Sequence, residues 1–324
     1  MEDRLSRREF LKRSALIGAA VAGYRYLEVP AAAEAATGKS RVVVVRDQAL
    51  LAGDGVDQKV AERMLGQAMA KLVGANSGAQ AWKMLFKPTD VVGLKVNCLC
   101  GKGVSTHPEI TYAVVSGLKM AGVPEGNIII WDRSSGDLAK SGYTLNKGEG
   151  VRVLADDGDW GEAVRSGSIS GRLSKIITEK ITALVNVPIL KTHGIPGLTC
   201  ALKNHYGSFD NPGAAHGDGC NPYLADLNAL PQIKNKTRLI VVDAARPQCD
   251  GGPSLRADAQ FDYHGIIISK DPLAADRVGL EIINERRKQT GRQERTVESL
   301  KWFASSAKAG VGVCDLSKIE LVNI

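Results

Sequence analysis

Residues 186–204 read NVPILKTHGIPGLTCALKN, and this stretch decides the predicted fold and the predicted site. It continues an apolar, β-branched run, ITALVNVPIL at residues 181–190, which is the pattern of a buried strand. Residues 191–193 (KTH) follow where this strand is expected to end, and the Gly/Pro pattern of residues 194–197 predicts a loop. Residues 198–206 are predicted to begin a helix.

Two lysines, two histidines and an amide therefore fall within one strand–loop–helix unit: Lys191, His193, Lys203, Asn204 and His205. In open α/β sheets, ligands bind at the carboxyl ends of the strands. We therefore expect a binding site at the end of this strand, with the side chains of Lys191 and His193 at the edge of the sheet and outside the packed core.

Apolar strand patterns alternate with amphipathic helix patterns through most of the chain. This predicts an α/β fold with a mostly parallel sheet flanked by helices. The predicted strands are 41–45, 91–97, 127–131, 151–154, 181–190, 237–243, 265–270 and 318–322. The predicted helices are 57–72, 79–86, 108–120, 223–230, 272–285 and 297–307. Residues 134–171 are rich in Gly and Ser with weak periodicity, which predicts an irregular insertion.

The N-terminal residues carry an export pattern. Residues 6–12 (SRREFLK) resemble the twin-arginine motif, residues 15–23 are weakly apolar, and the alanines of residues 31–35 offer cleavage sites. We expect residues 1–36 to be a twin-arginine signal peptide and linker, and residues 37–324 to form a single α/β domain. The twin-arginine translocase is then a partner during export, and the protein is periplasmic or extracytoplasmic. The alternative is an amphipathic N-terminal helix of the fold.

Composition narrows the class of ligand. The net charge is +7, but the basic residues are dispersed, and the densest local group is Arg286-Arg287-Lys288, which is read as a solvated helix face. Aromatic residues make up only 5% of the chain, which argues against a nucleic-acid stacking surface. No apolar run is long enough for a stable membrane span in the mature chain. A small anionic ligand fits the basic balance.

The six cysteines contain no CxxC pair and no CxxCxxC run, so no intrinsic ferredoxin-type iron–sulfur motif is expected. Cys98 and Cys100 would lie on one face of a strand if the extended chain continued, as a metal-binding pair requires. Separate structural cysteines or longer-range disulfides are the alternative, since an oxidising compartment permits disulfides.

An ordered set of motifs resembles the domain of unknown function family 362. The resemblance covers roughly residues 91–279 and implies that residues 37–324 form a domain of this type. Some relatives carry a ferredoxin-type module after this domain, and this chain lacks those cysteines. The resemblance supplies no catalytic residues. The motifs are KVN at 95–97, HPE at 107–109, NVPILKTH at 186–193, TCALKN at 199–204, VVDA at 241–244, GGP at 251–253 and SKDPLAADRVG at 269–279.

The catalytic candidates are Lys95, Lys191, His193 and Lys203. The three lysines fall at or just beyond strand ends, where they can bind phosphate or carboxylate, or where one of them can form an imine if its pKa is lowered. The alternative is three exposed lysines at the edge of the sheet.

Asn97, Thr199, Asn204 and Asp243 are the substrate-binding candidates. Their amide, hydroxyl and carboxylate groups can hold and orient a substrate. The alternative for the asparagines is that they satisfy loop backbone.

The cofactor is not specified by the sequence, but a divalent metal is one option. His107, His193 and Asp271 are the candidate ligands, because neutral imidazole and carboxylate suit such metals. A capping or hydrogen-bonding role is the alternative for each. The resulting hypothesis is an exported enzyme or redox-accessory protein that acts on a small anionic substrate in a Lys/His/Asn/Asp cleft. The alternative hypothesis is a non-catalytic protein that binds or matures a metal or cofactor.

Overall fold

The apolar runs of the sequence form strands whose side chains are buried on both faces of the sheet. The structure is a computed structural model, and it describes residues 38–324. The predicted signal peptide therefore lies outside the described residues. The strands are β1 (Ser40–Arg46), β2 (Leu51–Ala52), β3 (Gly55–Val56), β4 (Val92–Val96), β5 (Ile128–Asp132), β6 (Arg152–Ala155), β7 (Trp160–Ser166), β8 (Ile169–Ser174), β9 (Ala183–Val187), β10 (Ile189–His193), β11 (Gly197–Thr199), β12 (Thr237–Gln248), β13 (Gly265–Ser269) and β14 (Ile319–Asn323).

The helices pack on this framework and are joined by short 3₁₀ turns and one π-helical turn. They are α1 (Gln58–Val73), α2 (Gly78–Leu85), α3 (Pro108–Met120), α4 (Ser135–Lys140), α5 (Ala201–Asn204), α6 (Tyr223–Ala229), α7 (Pro231–Lys234), α8 (Pro272–Gln289) and α9 (Trp302–Lys308). Gly217–Cys220 forms a turn in which Asp218 and Gly219 have left-handed φ values of 44° and 64°. Among residues 38–324, no helix is both long enough and apolar enough to cross a bilayer.

One sheet of ten strands dominates the described part of the chain. Its main path runs β14-β1-β13-β12-β9-β4-β5-β6, and β10 and β11 extend it beside the second half of β12. All neighbouring pairs are parallel except those that involve β13 or β11, which run in the opposite direction. The prediction of an α/β fold with a mostly parallel sheet is confirmed.

Helix α1 shows how local sequence sets an element. Asp57 caps its first turn by accepting hydrogen bonds from the backbone N–H groups of Lys59 and Val60. Gly74 ends it with a left-handed φ of 69°, which a glycine adopts without steric cost. The side chains that α1 buries, including Met64 and Leu65, recur at helical spacing against the sheet.

The apolar run of residues 181–190 and the KTH that follows it form two strands where one was expected. Pro188 separates β9 from β10, and both strands lie along the same side of β12. Strand β4 pairs with β9 but ends at Val96, whereas β10 continues further along β12. A space is left beyond the end of β4.

The region that follows residue 193 also departs from prediction. Instead of a helix over residues 198–206, the chain returns as β11, which pairs antiparallel with β10. A single helical turn, α5, then carries Lys203 and Asn204. The carboxylate of Asp276 in α8 accepts hydrogen bonds from the backbone N–H groups of Ala201 (2.5 Å) and Leu202 (3.2 Å), and so holds the start of this turn.

The predicted insertion is more ordered than its composition indicates. It contains α4, and β6 pairs with β5 at the end of the sheet. Strands β7 and β8 form a separate antiparallel hairpin. This hairpin brings Trp160 and the preceding turn at Asp157 and Gly158 to the same end of the sheet as Lys95.

Candidate functional site

A cavity of about 370 Å³ lies beyond the end of β4, at the carboxyl ends of β4, β5 and β10. Its volume lies in the range of small-molecule sites. All four predicted catalytic residues and three of the four predicted substrate-binding residues line it. They are Lys95, Lys191, His193, Lys203, Asn97, Thr199 and Asn204. Their roles in chemistry stay predictions.

Lys95 forms a buried ion pair at the floor of this cavity. Its Nζ lies 2.6 Å from Asp132 Oδ1, 2.6 Å from the carbonyl oxygen of Val96 and 3.5 Å from Asn204 Oδ1. The second oxygen of Asp132 accepts a hydrogen bond from the backbone N–H of Cys98 at 2.7 Å. Lys95 is thus fully neutralised within the protein.

Lys191 is buried as well, with 1% of its surface exposed, so the expectation that it lies at the outer edge of the sheet is wrong. The reason is that residues 98–104 fold back over the end of β10. Lys191 Nζ donates to the carbonyl oxygens of Val104 (2.7 Å) and Leu99 (3.3 Å), and it has no ion pair with a carboxylate among the described residues. Burial lowers the pKa of Lys191 to about 8, although the nearby groups of Cys100, Asp132 and Cys98 act to raise it.

Lys203 has the least neutralised environment of the three lysines. Its Nζ lies 3.3 Å from His216 Nε2 and 3.5 Å from the centre of the Tyr206 ring. Only 8% of its surface is exposed, and it has no ion pair with a carboxylate among residues 38–324. Burial lowers the pKa of Lys203 to about 7; the charge of Lys191 acts in the same direction and Cys220 opposes it.

His193 is held as a neutral ring, and its expected exposed position is also wrong, since only 8% of its surface is exposed. Its Nδ1 accepts a hydrogen bond from the backbone N–H of Ile195 at 3.1 Å. Burial lowers the pKa of His193 to about 3, and the nearby charges of Lys203, His216 and Lys191 add to the effect. A neutral imidazole can accept a proton or a hydrogen bond from a ligand.

Two amides of the site belong to a buried network. Asn204 donates through Nδ2 to the carbonyl oxygen of Lys95 (2.9 Å) and to Asn186 Oδ1 (2.7 Å), and its Oδ1 accepts from Asn97 Nδ2 (3.2 Å). By contrast, Asn97 Oδ1 and Thr199 Oγ1 are buried without a hydrogen-bond partner in the protein. A buried polar atom without a partner is costly, and both residues line the cavity.

Asp243 does not line the cavity. The reason is that β12 continues for five residues beyond it, so Asp243 lies within the strand and not at its end. Its Oδ2 lies 2.7 Å from His107 Nδ1 and accepts a hydrogen bond from the backbone N–H of His107 at 2.8 Å. Burial lowers the pKa of His107, but the charge of Asp243 and this hydrogen bond outweigh it and raise the pKa overall.

Asp271 lies at the opposite edge of the sheet, because β13 runs antiparallel to its neighbours. Its carboxylate begins α8 by accepting hydrogen bonds from the backbone N–H groups of Leu273 and Ala274, both at 2.9 Å, and it also accepts from Ser40 Oγ at 2.6 Å. The three candidate metal ligands His107, His193 and Asp271 therefore do not meet at one site. Among the described residues, no group of three or more His, Cys, Asp or Glu side chains could hold a metal ion.

Cys98 and Cys100 do not share a strand face, so they do not form the metal-binding pair considered as one of two readings of the sequence. Cys98 is buried, whereas Cys100 is exposed and has a left-handed φ of 82° where the chain turns. All six cysteines are free thiols in the structure.

Several lining residues were not singled out as site residues from the sequence. Asp132 ends an apolar strand (IIIWD), and its place next to β4 in a parallel sheet is the signal that could have identified it. Tyr206 lies against Lys203, and Trp160 comes from the hairpin of the insertion. Composition gives no indication that this hairpin reaches the site.

A second cavity, of about 620 Å³, lies at the opposite edge of the sheet. Asp271 is the only one of the predicted site residues that lines it, and Asn186 and His205 also face it. We assign the candidate site to the smaller cavity because, among residues 38–324, the buried lysines that lack a carboxylate partner, Lys191 and Lys203, line it.

The fold and the cavity define an α/β protein with a lysine-lined pocket at the carboxyl edge of a mostly parallel sheet. The chain belongs to the family described as domain of unknown function (DUF362), whose model matches residues 92–281. The matched residues include every predicted site residue, from Lys95 to Asp271.

One solved structure is similar. It is a crystal structure of a protein from Thermotoga maritima determined by the Northeast Structural Genomics Consortium, with 12% sequence identity and a TM-score of 0.45. The similarity covers 72% of this chain and 60% of that one, so this chain spans less than two thirds of that protein. No curated protein matches the chain.

Proposed function

We propose that the protein is an enzyme that acts on a small anionic substrate bound in the lysine-lined cavity. One observation carries the proposal: Lys191 and Lys203 are buried at the same cavity, and neither has a carboxylate partner among the described residues. Lys95 provides the contrast, because the carboxylate of Asp132 already neutralises its charge within the protein. A lysine paired in this way needs no anionic ligand.

The energetics favour an anion as the missing partner. A buried ammonium without a counter-charge is unfavourable, because desolvation is not repaid by an ion pair. A bound carboxylate or phosphate would supply the counter-charge for both lysines. Asn97 and Thr199 would gain partners for their unpaired atoms from a hydroxyl or amide group of the same ligand.

The surroundings of Lys203 support catalysis in addition to binding. With a pKa near 7, its amine can exist in both protonation states under neutral conditions. His216 Nε2 lies within hydrogen-bond distance and can exchange a proton with it. In this proposal Lys191 anchors the substrate, because its two carbonyl contacts favour the ammonium form, and Lys203 performs the proton-transfer or nucleophilic step.

We also propose that the protein is exported. The proposal rests on the twin-arginine pattern of residues 6–12 and the alanine-rich stretch that follows, with the α/β domain of residues 37–324 as the mature protein. Neither the cellular compartment nor the cleavage site affects the argument for the cavity.

Isothermal titration calorimetry with small carboxylates and phosphate tests the binding step. Lys191→Met should weaken binding by roughly tenfold to hundredfold, since a charge-assisted hydrogen bond contributes about 1.5–3 kcal/mol. Lys102→Met, which removes an exposed lysine, is the matched control and should leave affinity unchanged. Equal affinities for all three proteins would contradict the proposal.

The catalytic step needs a separate measurement. The wild type is incubated with a mixture of oxo, hydroxy, amino and phosphorylated acids, and consumption is followed by mass spectrometry. We expect the wild type to consume one acid of the mixture and Lys203→Met to consume none. Binding without consumption of any component would favour a non-catalytic binding protein.

A further inference from the structure

We propose that Lys203 forms an imine with the carbonyl group of a small oxo acid whose carboxylate is bound by Lys191. The inference rests on the proposed function, because it needs an anion in the lysine-lined cavity. It goes further by naming the nucleophile, the covalent intermediate and the class of substrate.

The contacts of the three lysines single out Lys203. Lys95 Nζ is engaged by a carboxylate and by the carbonyl oxygen of Val96, and Lys191 Nζ donates to two carbonyl oxygens. These are acceptors that stabilise an ammonium ion. The contact of Lys203 Nζ is His216 Nε2, which is itself a base. A neutral amine that donates one N–H to this ring nitrogen keeps its lone pair available for attack.

The electrostatic environment favours the neutral amine that an imine requires. Lys203 is buried, lies against the face of Tyr206, and shares the cavity with the second cation, Lys191. Burial, with the charge of Lys191 acting in the same direction, lowers the pKa of Lys203, and the thiol of Cys220 is the one nearby group that raises it. Desolvation and a neighbouring cation are the two means by which proteins activate a lysine nucleophile.

Both ends of an oxo acid find a partner in this cavity. The ammonium of Lys191 matches a carboxylate, and the amine of Lys203 matches an electrophilic carbonyl carbon. The carbonyl oxygen of the ligand can accept a hydrogen bond from the Thr199 hydroxyl, and a hydroxyl group of the ligand can donate one to Asn97 Oδ1. A simple phosphate would satisfy the lysines but would leave the nucleophile without a reaction.

The step balances without an oxidant or reductant. The lone pair of Lys203 Nζ attacks the carbonyl carbon, a C–N bond forms, and the C–O π pair moves to oxygen. This oxygen takes up a proton from solvent, so the overall step consumes one proton. His216 Nε2 removes a proton from the attacking nitrogen and returns it to the hydroxyl group of the carbinolamine. Water then leaves as the nitrogen pair forms the C=N bond, and the product is an iminium ion and one water molecule.

Trapping with sodium borohydride tests this step directly. The full chain is incubated with glyoxylate, which is small enough to enter the cavity, and is then reduced and analysed by peptide mass spectrometry. We expect a stable adduct on Lys203, at least about tenfold above that on any exposed lysine, because only a small fraction of an ordinary lysine is neutral at pH 7.

Two variants make the result specific. Lys203→Arg keeps a cation but cannot form an imine, so the adduct should disappear while the melting temperature confirms folding. Lys236→Arg is the control, since Lys236 is a partly buried lysine that donates to the carbonyl oxygens of Ile177 and Ile181 outside the cavity. It should leave the adduct on Lys203 unchanged. No adduct on Lys203 in the wild type, or equal labelling of all lysines, would overturn the inference.

Binding of glycolate, which has the carboxylate but no carbonyl group, separates this inference from the proposed function. If glycolate binds by calorimetry and glyoxylate leaves no adduct on Lys203, the imine is excluded and the anion site stands. If neither compound binds, both proposals fail.

Discussion

The Nζ atom of Lys95 and the Oδ1 atom of Asp132 lie 2.6 Å apart on neighbouring parallel strands, and both side chains are buried. Removal of one partner leaves the other charge uncompensated. We expect Lys95→Met to lower the free energy of unfolding by about 3–5 kcal/mol, which urea denaturation can measure. The double variant Lys95→Met/Asp132→Asn should be more stable than Lys95→Met alone.

An exposed pair provides the comparison for this effect. Lys119 and Glu125 form an ion pair in which about half of each side chain is exposed. Lys119→Met should therefore change the free energy of unfolding by no more than about 1 kcal/mol. If Lys95→Met also lowered the free energy of unfolding by no more than about 1 kcal/mol, the Lys95–Asp132 ion pair would not be needed to stabilise the floor of the cavity.

Gly207 is needed for close approach to the same ion pair. A Cβ atom at this position would lie 2.6 Å from both Lys95 Nζ and Asp132 Oδ1. Gly207→Ala should destabilise the protein by about 1–3 kcal/mol and weaken anion binding, because the pair must shift. Gly213→Ala is the control from a nearby turn, where a Cβ would meet no atom within 4 Å. Equal melting temperatures for the two variants would contradict this role.

The buried lysines should make stability depend on pH in a defined direction. Lys203 has a folded pKa of about 7, below its ordinary value of 10.5, so the unfolded chain binds more protons between these values. The contribution of Lys203 to the free energy of unfolding should therefore rise with pH from about 7 to 10.5. It is measured as the difference between the wild type and a variant without this amine, because buried groups whose pKa is raised, such as Cys98 and Tyr143, act in the opposite direction at high pH. Below pH 7 both states are protonated, and the full cost of the buried charge is present.

Lys203→Met removes this titration. Relative to the wild type, the variant should be more stable at pH 7 by about 4 kcal/mol, and the difference should shrink towards pH 10. Lys102→Met, at an exposed position, should follow the wild type throughout. Parallel pH profiles for the wild type and Lys203→Met would mean that Lys203 is protonated equally in both states.

Export can be tested independently of the site. Because the twin-arginine pathway depends on the arginine pair, the double variant Arg7→Lys/Arg8→Lys should remain in the cytoplasm. Fractionation followed by immunoblotting measures the distribution, and substitution of Arg13 by Lys serves as the control. A normally exported double variant would exclude this route.

Much of the fold could be predicted because burial on both faces leaves a clear pattern in the sequence. An apolar run predicted β5, and amphipathic periodicity predicted α1, each within one residue of its observed bounds. Whether a strand runs parallel or antiparallel to its neighbours leaves no such pattern, since the same apolar run suits either direction. The reversal of β13 was therefore missed, and with it the position of Asp271.

Some of the residues that line the cavity could be predicted from the sequence, but their burial could not. Lys95 and Asn97 alternate along a strand and share a face, and both line the cavity. That Lys191 is buried could not be read from its neighbours in sequence, because it depends on the carbonyl oxygens of Leu99 and Val104, about ninety residues away. The position of His216 beside Lys203 likewise depends on the path of a loop.

The early end of β4 has a consequence for how this site can vary. The cavity lies where one strand stops at Val96 while β10 continues beside β12, so the ends of hydrogen-bonded strands fix its place in the molecule. Side chains at its wall other than the Lys95–Asp132 pair can therefore be exchanged without re-pairing the sheet. A new ligand specificity could therefore be engineered by substituting a few of the residues that line the cavity, while the strand pairing of the fold stays unchanged.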